Sequence, residues 1–201
     1  MVQGIINAVI QVILFTLIPL IWWAVTARKE CSFFQWIGLK KIDSENKKQT
    51  AVWTAIVTAA FLAVSFFTLM MLKNVEMATS DFAGKGLSAL PAILVYAIVQ
   101  TSLAEEILFR GFLLKRFAKK FGDTAGITIQ SVLFGVMHGA MFFSKVGAAK
   151  AVLIIALTGG IGWFMGYINE KKANGSILPG WCIHACANIF SGLLSACVFY
   201  N

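Results

Sequence analysis

The sequence predicts an all-α polytopic membrane protein with about six transmembrane helices. Hydrophobic residues make up 59% of its 201 residues and charged residues only 13%, whereas a soluble domain carries roughly 25% charged residues. Each of six apolar stretches is near the ~20 residues that a helix needs to cross the hydrocarbon. These stretches are continuous, which excludes the alternation of a membrane β-barrel. They run from Gly4 to Thr26, Ala51 to Leu72, Leu87 to Leu114, Ala125 to Phe143, Val146 to Ile168 and Ile177 to Tyr200.

Lysine and arginine outnumber the acidic residues and give a net charge of +8. They lie between the apolar stretches, so the expected partner is an anionic lipid surface and not a nucleic acid. Of the 17 Lys and Arg residues, 12 fall in the loops 27–50, 115–124 and 169–176, and four lie toward the other side: Lys73, Lys85, Lys145 and Lys150. Positive loops stay in the cytoplasm, so both termini are expected to be extracytoplasmic in a bacterial inner or plasma membrane.

The first basic loop contains a segment of mixed character, from Cys31 to Ile42. Its aromatic and aliphatic residues are interspersed with lysines, which is typical of a segment lying at the membrane interface. We expect it on the cytoplasmic face. The four cysteines form no CxxC pair and are interpreted as small packing residues.

A few ionisable residues lie inside the apolar stretches, where each costs at least ~2.5 kcal/mol on insertion scales. They are Glu105, Glu106, Arg110, His138 and His184. Such residues are functional candidates by default. Glu106 and Arg110 stand four apart in the order that favours a helical ion pair, so a purely structural role explains those two equally well. Glu105 is turned about 100° from Glu106 around the helix and cannot share Arg110 to the same degree.

Helix spacing places the polar residues at one level. Glu105 lies 17 residues before the turn at Gly122 and His138 lies 16 residues after it, so both stand ~25 Å from that turn. His184 and Asn188 share one face of the last helix, roughly 14 and 20 Å from the turn that precedes it. We therefore expect the four side chains to meet in the cytoplasmic half of the bilayer.

Such a cluster has the groups needed to hydrolyse an amide without a covalent nucleophile. A carboxylate beside a neutral histidine can activate water, and a second histidine and an amide can donate hydrogen bonds to an oxyanion. Glu105, His138 and His184 could instead hold a catalytic zinc ion. That arrangement would leave no free carboxylate as the base, because Glu106 is expected to pair with Arg110. We therefore expect no cofactor, with zinc as the alternative.

Three motifs occur in order on separate apolar stretches: EExxxR at 105–110, FxxxH at 134–138 and HxxxN at 184–188. Together they resemble the CPBP family of intramembrane endopeptidases. That family comprises type II CAAX prenyl endopeptidases and bacteriocin-processing or self-immunity membrane proteins, and is also called the Abi family. No linker divides the chain, so we expect a single integral membrane domain over 1–201, and the motifs place its catalytic core at about 87–200.

The resemblance implies a role for each matching catalytic position. Glu105 would be the general base acting with His138, and His184 with Asn188 would bind the oxyanion. The reaction would be hydrolysis of a peptide bond by water, and the substrate a peptide or a membrane protein.

Three further positions would support the site. The resemblance implies that Glu106 and Arg110 orient it from outside the reacting groups. Phe134, one turn before His138, would shape the floor of the pocket, although ordinary core packing explains an aromatic residue there at least as well.

Two other functions stay open at this stage. One is a non-catalytic membrane protein, such as an immunity factor or a regulatory partner. The other is a proton-coupled transporter, because chains of Glu and His also serve as proton relays. The chain is short and has no evident inverted repeats, which disfavours the transporter. The sequence leaves open the oligomeric state, the substrate and whether the substrate is prenylated.

Overall fold

The computed structural model describes residues 2–42, 45, 47–72 and 75–198, and every regular element in these ranges is helical. The first three helices are α1 (Val2–Thr26), α2 (Phe33–Trp36) and α3 (Lys47–Met71). A 3₁₀ turn at Ala78–Phe82 precedes α4, which spans Gly86–Phe121 and itself begins as a 3₁₀ turn. A long helical stretch over Asp123–Lys172 and a last helix, Leu178–Cys197, complete the bundle.

The stretch Asp123–Lys172 is two antiparallel helices joined at Gly147. This glycine has φ 77° and ψ 172°, a conformation that glycine adopts without steric cost. We call the parts before and after it α5 (123–146) and α6 (148–172), and the last helix α7. Across the hairpin, a Cβ added at Gly135 would lie 2.5 Å from the Ile155 carbonyl oxygen and 3.1 Å from the Gly159 Cα. The two backbones are therefore in direct contact.

This hairpin reconciles the structure with the predicted helix number. Among the described residues, five helices are long and apolar enough to cross a membrane. Dividing the longest of them at Gly147 gives the six that the sequence predicts, and the all-α polytopic fold is confirmed. The predicted end of the sixth helix at Tyr200 lies outside the described residues.

Most of the basic residues gather at one end of the bundle, which we call the basic end and define by residues 27–42, 115–122 and 171–177. Lys171 pairs with Asp123 there at 2.6 Å, and the Thr50 hydroxyl donates to the Lys172 carbonyl at 2.6 Å. The opposite end is formed by residues 75–89, the turn at Gly147 and the last turn of α7. Which end faces the cytoplasm stays a prediction.

The predicted interfacial segment packs into the bundle more deeply than its composition suggests. Ser32 caps the short helix α2, accepting a hydrogen bond from the Gln35 N–H. Trp36 and Ile37 on its inner side are buried, whereas Phe34 on its outer side is 61% exposed. The segment therefore lies at the basic end as part of the protein core, with only one of its faces available to the interface.

Helix α4 departs from uniform α-helical geometry around the acidic pair. It is π-helical over Val95–Leu103 and Ile107–Leu114, and the three residues between these stretches include Glu105 and Glu106. Wider turns of this kind occur often at functional sites. They change the angle at which successive side chains leave the helix, so the spacing of the sequence alone does not give the orientation of the two glutamates.

The contact between α5 and α6 yields a stability prediction. Gly135→Ala should lower the free energy of unfolding by about 1–3 kcal/mol, since the new methyl group meets backbone atoms that cannot move aside. Gly160→Ala on α6 is the matched control, because its Cβ would have nothing within 4 Å, and it should be neutral or slightly stabilising. Thermal unfolding in detergent measures both variants, and equal midpoints would contradict the close approach of the two helices.

Candidate active site

Side chains from α4, α5 and α7 line one cavity of about 340 Å³ inside the bundle. Helix α4 contributes Glu105, α5 contributes Phe134 and His138, and α7 contributes His184 and Asn188. The four polar residues predicted to lie at one level, Glu105, His138, His184 and Asn188, therefore line the same cavity. Phe134 lines it as well.

Glu106 and Arg110 form a buried ion pair beside this cavity. Nη1 of Arg110 donates to Oε1 of Glu106 at 2.9 Å, and both side chains are 0% exposed. The guanidinium also lies 4.2 Å from the ring centroid of Phe134, a favourable cation–π geometry. Neither charge is exposed to solvent, so each depends on the other for compensation.

The same carboxylate orients His184. Nδ1 of His184 lies 3.3 Å from Oε1 of Glu106, so the N–H at Nδ1 is the natural donor to that carboxylate. The other ring nitrogen, Nε2, lies 3.7 Å from Oε2 of Glu105. Phe61 and Phe134 flank the imidazole, each with its ring centroid 6.0 Å away. His184 therefore bridges the two glutamates in a fixed orientation.

Glu105 is bound less closely than Glu106, whose Oε1 lies 2.9 Å from Nη1 of Arg110 and 3.3 Å from Nδ1 of His184. It is mostly buried and lines the cavity, yet its Oε2 accepts no hydrogen bond from any described residue. A buried carboxylate oxygen ordinarily has a donor. Oε2 lies 3.7 Å from Nε2 of His184, and the Glu105 side chain as a whole is 12% exposed, so water in the cavity could reach this residue.

His138 is held by its own helix. Its Nδ1 lies 2.9 Å from the carbonyl oxygen of Phe134, which can only accept, so Nδ1 must carry the hydrogen. In the neutral ring the lone pair then belongs to Nε2. The Phe134 ring stacks at a tilt against the imidazole with 4.4 Å between centroids, which adds to the constraint. Phe134 thus supports His138 through both its backbone and its ring.

The amide of Asn188 is held by two hydroxyl groups of α4. Its Nδ2 donates to Oγ1 of Thr101 at 2.8 Å and to Oγ of Ser102 at 3.1 Å. The Thr101 hydroxyl donates its own hydrogen to the Tyr96 carbonyl at 3.0 Å, so toward Asn188 it can only accept. In this arrangement both amide hydrogens of Asn188 are occupied on α4.

Asn169 is a site residue that the sequence analysis does not identify. It is fully buried, and its Oδ1 accepts from the Gly180 N–H at 2.9 Å. A Cβ at Gly180 would lie 2.7 Å from both Nδ2 of Asn169 and Oε2 of Glu106, so the start of α7 fits against the ion pair only because residue 180 is glycine. In the sequence, Asn169 is an amide residue directly after an apolar stretch. Such a residue does not indicate a functional site unless the fold shows what it contacts.

The donor set bears on whether a metal ion could bind. Within the described ranges, no group of three or more His, Cys, Asp and Glu side chains is arranged to hold one. A zinc ion between Glu105 and the two cavity histidines would need Nε2 of both rings. Glu106 is engaged by Arg110 and His184, so it would not be available as a separate base.

A bundle of apolar helices with a carboxylate, two histidines and an amide around one interior cavity defines a polytopic membrane protein with an embedded polar site. The family described as type II CAAX prenyl endopeptidase, Rce1-like, has a model that matches residues 85–190, more than half of the chain. The chain therefore belongs to this family of CAAX-type intramembrane proteases, and the resemblance carried by its three motifs is confirmed. No curated protein and no solved structure gives a match.

The ion pair supplies a stability prediction. Arg110→Ala should destabilise the protein by about 3–5 kcal/mol, because it strands the Glu106 charge in a dry environment. Asn188→Ala removes only a neutral hydrogen-bonding group and should cost about 1–3 kcal/mol. Thermal unfolding in detergent compares the two.

A double variant separates loss of charge balance from loss of packing. Glu106→Gln combined with Arg110→Met removes both charges and should recover part of the stability that Arg110→Ala loses. Equal unfolding midpoints for Arg110→Ala and Asn188→Ala would show that Glu106 and Arg110 do not depend on each other.

Proposed function

We propose that this chain is an intramembrane endopeptidase that hydrolyses a peptide bond with water activated by Glu105 and His138. The observation that carries the proposal is that the Glu105 side chain, 12% exposed, lies on the wall of a cavity that two histidines share. Membership of a protease family makes peptide hydrolysis the natural use of such a site.

The proposed reaction uses a single proton carrier. Glu105 takes a proton from water as the water oxygen attacks the carbonyl carbon, and Nε2 of His138 accepts a hydrogen bond from the same water. When the carbon–nitrogen bond breaks, the proton held by Glu105 passes to the leaving nitrogen. The products are a carboxylic acid and an amine, and Glu105 returns to its starting state.

His184 is the first donor proposed for the oxyanion. Its Nδ1 hydrogen is directed to Glu106, so donation at Nε2 requires the ring to carry both hydrogens. A protonated imidazole beside the reacting carbonyl would stabilise the developing negative charge.

Asn188 is the second proposed donor, and its hydrogen bonds define what that role requires. The bond to Thr101 is the shorter at 2.8 Å and the bond to Ser102 the longer at 3.1 Å. Binding of the oxyanion would exchange the Ser102 bond for one to the substrate, while the Thr101 bond keeps the amide in place. Donation to an oxyanion is the stronger bond because its acceptor is charged.

The proposal predicts a severe defect in Glu105→Gln. This isosteric change removes the base and should lower kcat by about 10²–10⁴-fold, while expression and detergent stability stay near those of the unmodified protein. Glu30→Gln is the matched control, because Glu30 is exposed at the basic end, and it should retain full activity. The measurement is cleavage of a peptide library by the purified protein, read by mass spectrometry.

Two results would count against this function. Near-normal turnover by Glu105→Gln would remove Glu105 from the mechanism. An inactive Glu105→Gln variant that still performs the biological role of the protein would favour the non-catalytic immunity or regulatory partner.

The metal-free mechanism is a separate prediction. Because Glu106 is already bound to Arg110 and His184, a zinc ion held by Glu105 and both histidines would leave the water without a carboxylate base. Active protein is therefore expected to contain much less than one zinc per chain by elemental analysis and to keep its activity in EDTA.

The control is a soluble zinc protease treated in the same detergent, which should lose its activity to EDTA. Stoichiometric zinc, together with activity that chelator removes and zinc alone restores, would contradict the metal-free mechanism and make the same residues ligands.

A further inference from the structure

A chain of aromatic side chains joins α1, α2 and α4 at the basic end of the bundle. The ring of Trp22 on α1 meets that of Phe112 on α4 edge to face, with 5.6 Å between centroids. The Phe112 ring in turn packs against Trp36 of α2 at 6.0 Å. Trp36 and Phe112 are both buried in one hydrophobic cluster, so the three helices meet here in a fixed arrangement.

Arg116 of α4 lies on this aromatic chain without an anionic partner. Its guanidinium carbon is 4.1 Å from the centroid of the Trp36 ring, which is within cation–π range. The side chain is partly exposed, yet its Nε is buried and has no hydrogen-bond acceptor in the described part of the chain. The ion pairs formed by described residues involve other cations.

These contacts leave Arg116 suited to bind a phosphate group. A buried N–H ordinarily has an acceptor, and the planar guanidinium matches two phosphate oxygens at once. Stacking on Trp36 already restricts the side chain, so less rotamer freedom is lost on binding. The surroundings are positive as well: Lys119 and Lys120 follow on the same face of the helix, and residues 27–42 contain four Lys or Arg and one Glu.

An apolar groove runs along the outer surface of α1 beside the same aromatic chain. From Val25 to Ile18 it extends ~10 Å from the basic end toward the middle of the bundle. Trp22 belongs both to this groove and to the aromatic chain. The groove and Arg116 are separate from the interior cavity, whose wall includes neither. The residues that line the groove are Ile18, Ile21, Trp22, Val25 and Thr26.

We propose that Arg116, Trp36 and the groove on α1 together bind one anionic phospholipid. The phosphate oxygens accept hydrogen bonds from the Arg116 guanidinium, and an acyl chain lies along the groove. A phospholipid carries a phosphate and an apolar chain side by side, whereas a free phosphate would leave the groove empty. Phosphate groups line both surfaces of a bilayer, so the site does not depend on which side the basic end faces. The lipid would tie α1 to α4, the helix that carries Glu105.

Lipid binding to the purified protein in detergent tests this site without requiring activity. Phosphatidylglycerol and phosphatidylcholine with the same acyl chains are titrated, and the bound lipid is counted by native mass spectrometry. Arg116→Met removes the charge and keeps an apolar side chain against Trp36. Lys48→Met is the matched control, because Lys48 is exposed at the same end of the bundle but lies on α3, which packs against α7.

We expect the unmodified protein to retain one phosphatidylglycerol in preference to phosphatidylcholine. Arg116→Met should weaken that binding by about 5-fold or more, and Lys48→Met much less. The thermal unfolding midpoint should rise with added phosphatidylglycerol, since the ligand binds the folded chain, and the rise should be smaller for Arg116→Met. Equal binding of the two lipids, or equal losses in the two variants, would overturn the proposed site.

Arg116→Lys provides a second test if Arg116→Met does not fold. It keeps the charge but loses the paired N–H groups and the planar stacking on Trp36, so it should bind phosphatidylglycerol more weakly than the unmodified protein does. An unchanged affinity would overturn the proposed contact between the guanidinium and the phosphate.

Competition distinguishes a lipid from a soluble phosphate. Glycerol phosphate and inorganic phosphate lack an acyl chain and should displace bound phosphatidylglycerol poorly. Displacement by either of them as effective as that by phosphatidylglycerol itself would show that the groove contributes nothing, and it would overturn the lipid as the ligand.

Discussion

The ion pair between Glu106 and Arg110 is the constraint on which the rest of this structure depends. Two full charges are buried at 0% exposure among apolar helices, which is tolerable only when each is compensated. Arg110 occupies one side of the Glu106 carboxylate, and His184 from α7 approaches the same oxygen. The pair thus fixes α7 against α4 and sets the orientation of a histidine that also faces Glu105.

This arrangement divides the bundle into a sealed part and a reactive part. Toward the basic end, the ion pair is covered by Leu114 and by loops that hydrogen-bond to one another. Toward the opposite end lies the cavity, which Glu105 lines together with His138 and His184. Gly180 packs closely against both Asn169 and Glu106. The side chains that support the site are therefore held in place by the packing of α7. A site of this kind is preorganised by rigid helices and not by loops.

Much of this architecture was predictable because a membrane imposes simple rules. Continuous apolar runs predict the helices, and the rarity of ionisable residues at depth singles out Glu105, His138 and His184. Sequence spacing could not predict the π-helical turns that flank Glu105, nor the hydroxyls of Thr101 and Ser102 that hold Asn188, because both depend on how helices meet. Asn169 escaped notice for the same reason. The segment after Cys31 looked interfacial because its composition does not reveal that Trp36 and Ile37 turn inward.

The central claim is that Glu106 acts on the reaction through His184. A double-mutant cycle in kcat/KM with Glu106→Gln and His184→Ala measures this coupling most directly, provided that each variant remains folded. If Glu106 orients His184, the loss in the double variant should be smaller than the sum of the two single losses, with a coupling energy of about 0.5–3 kcal/mol. Losses that simply add would contradict the account and would reduce the ion pair to a structural element.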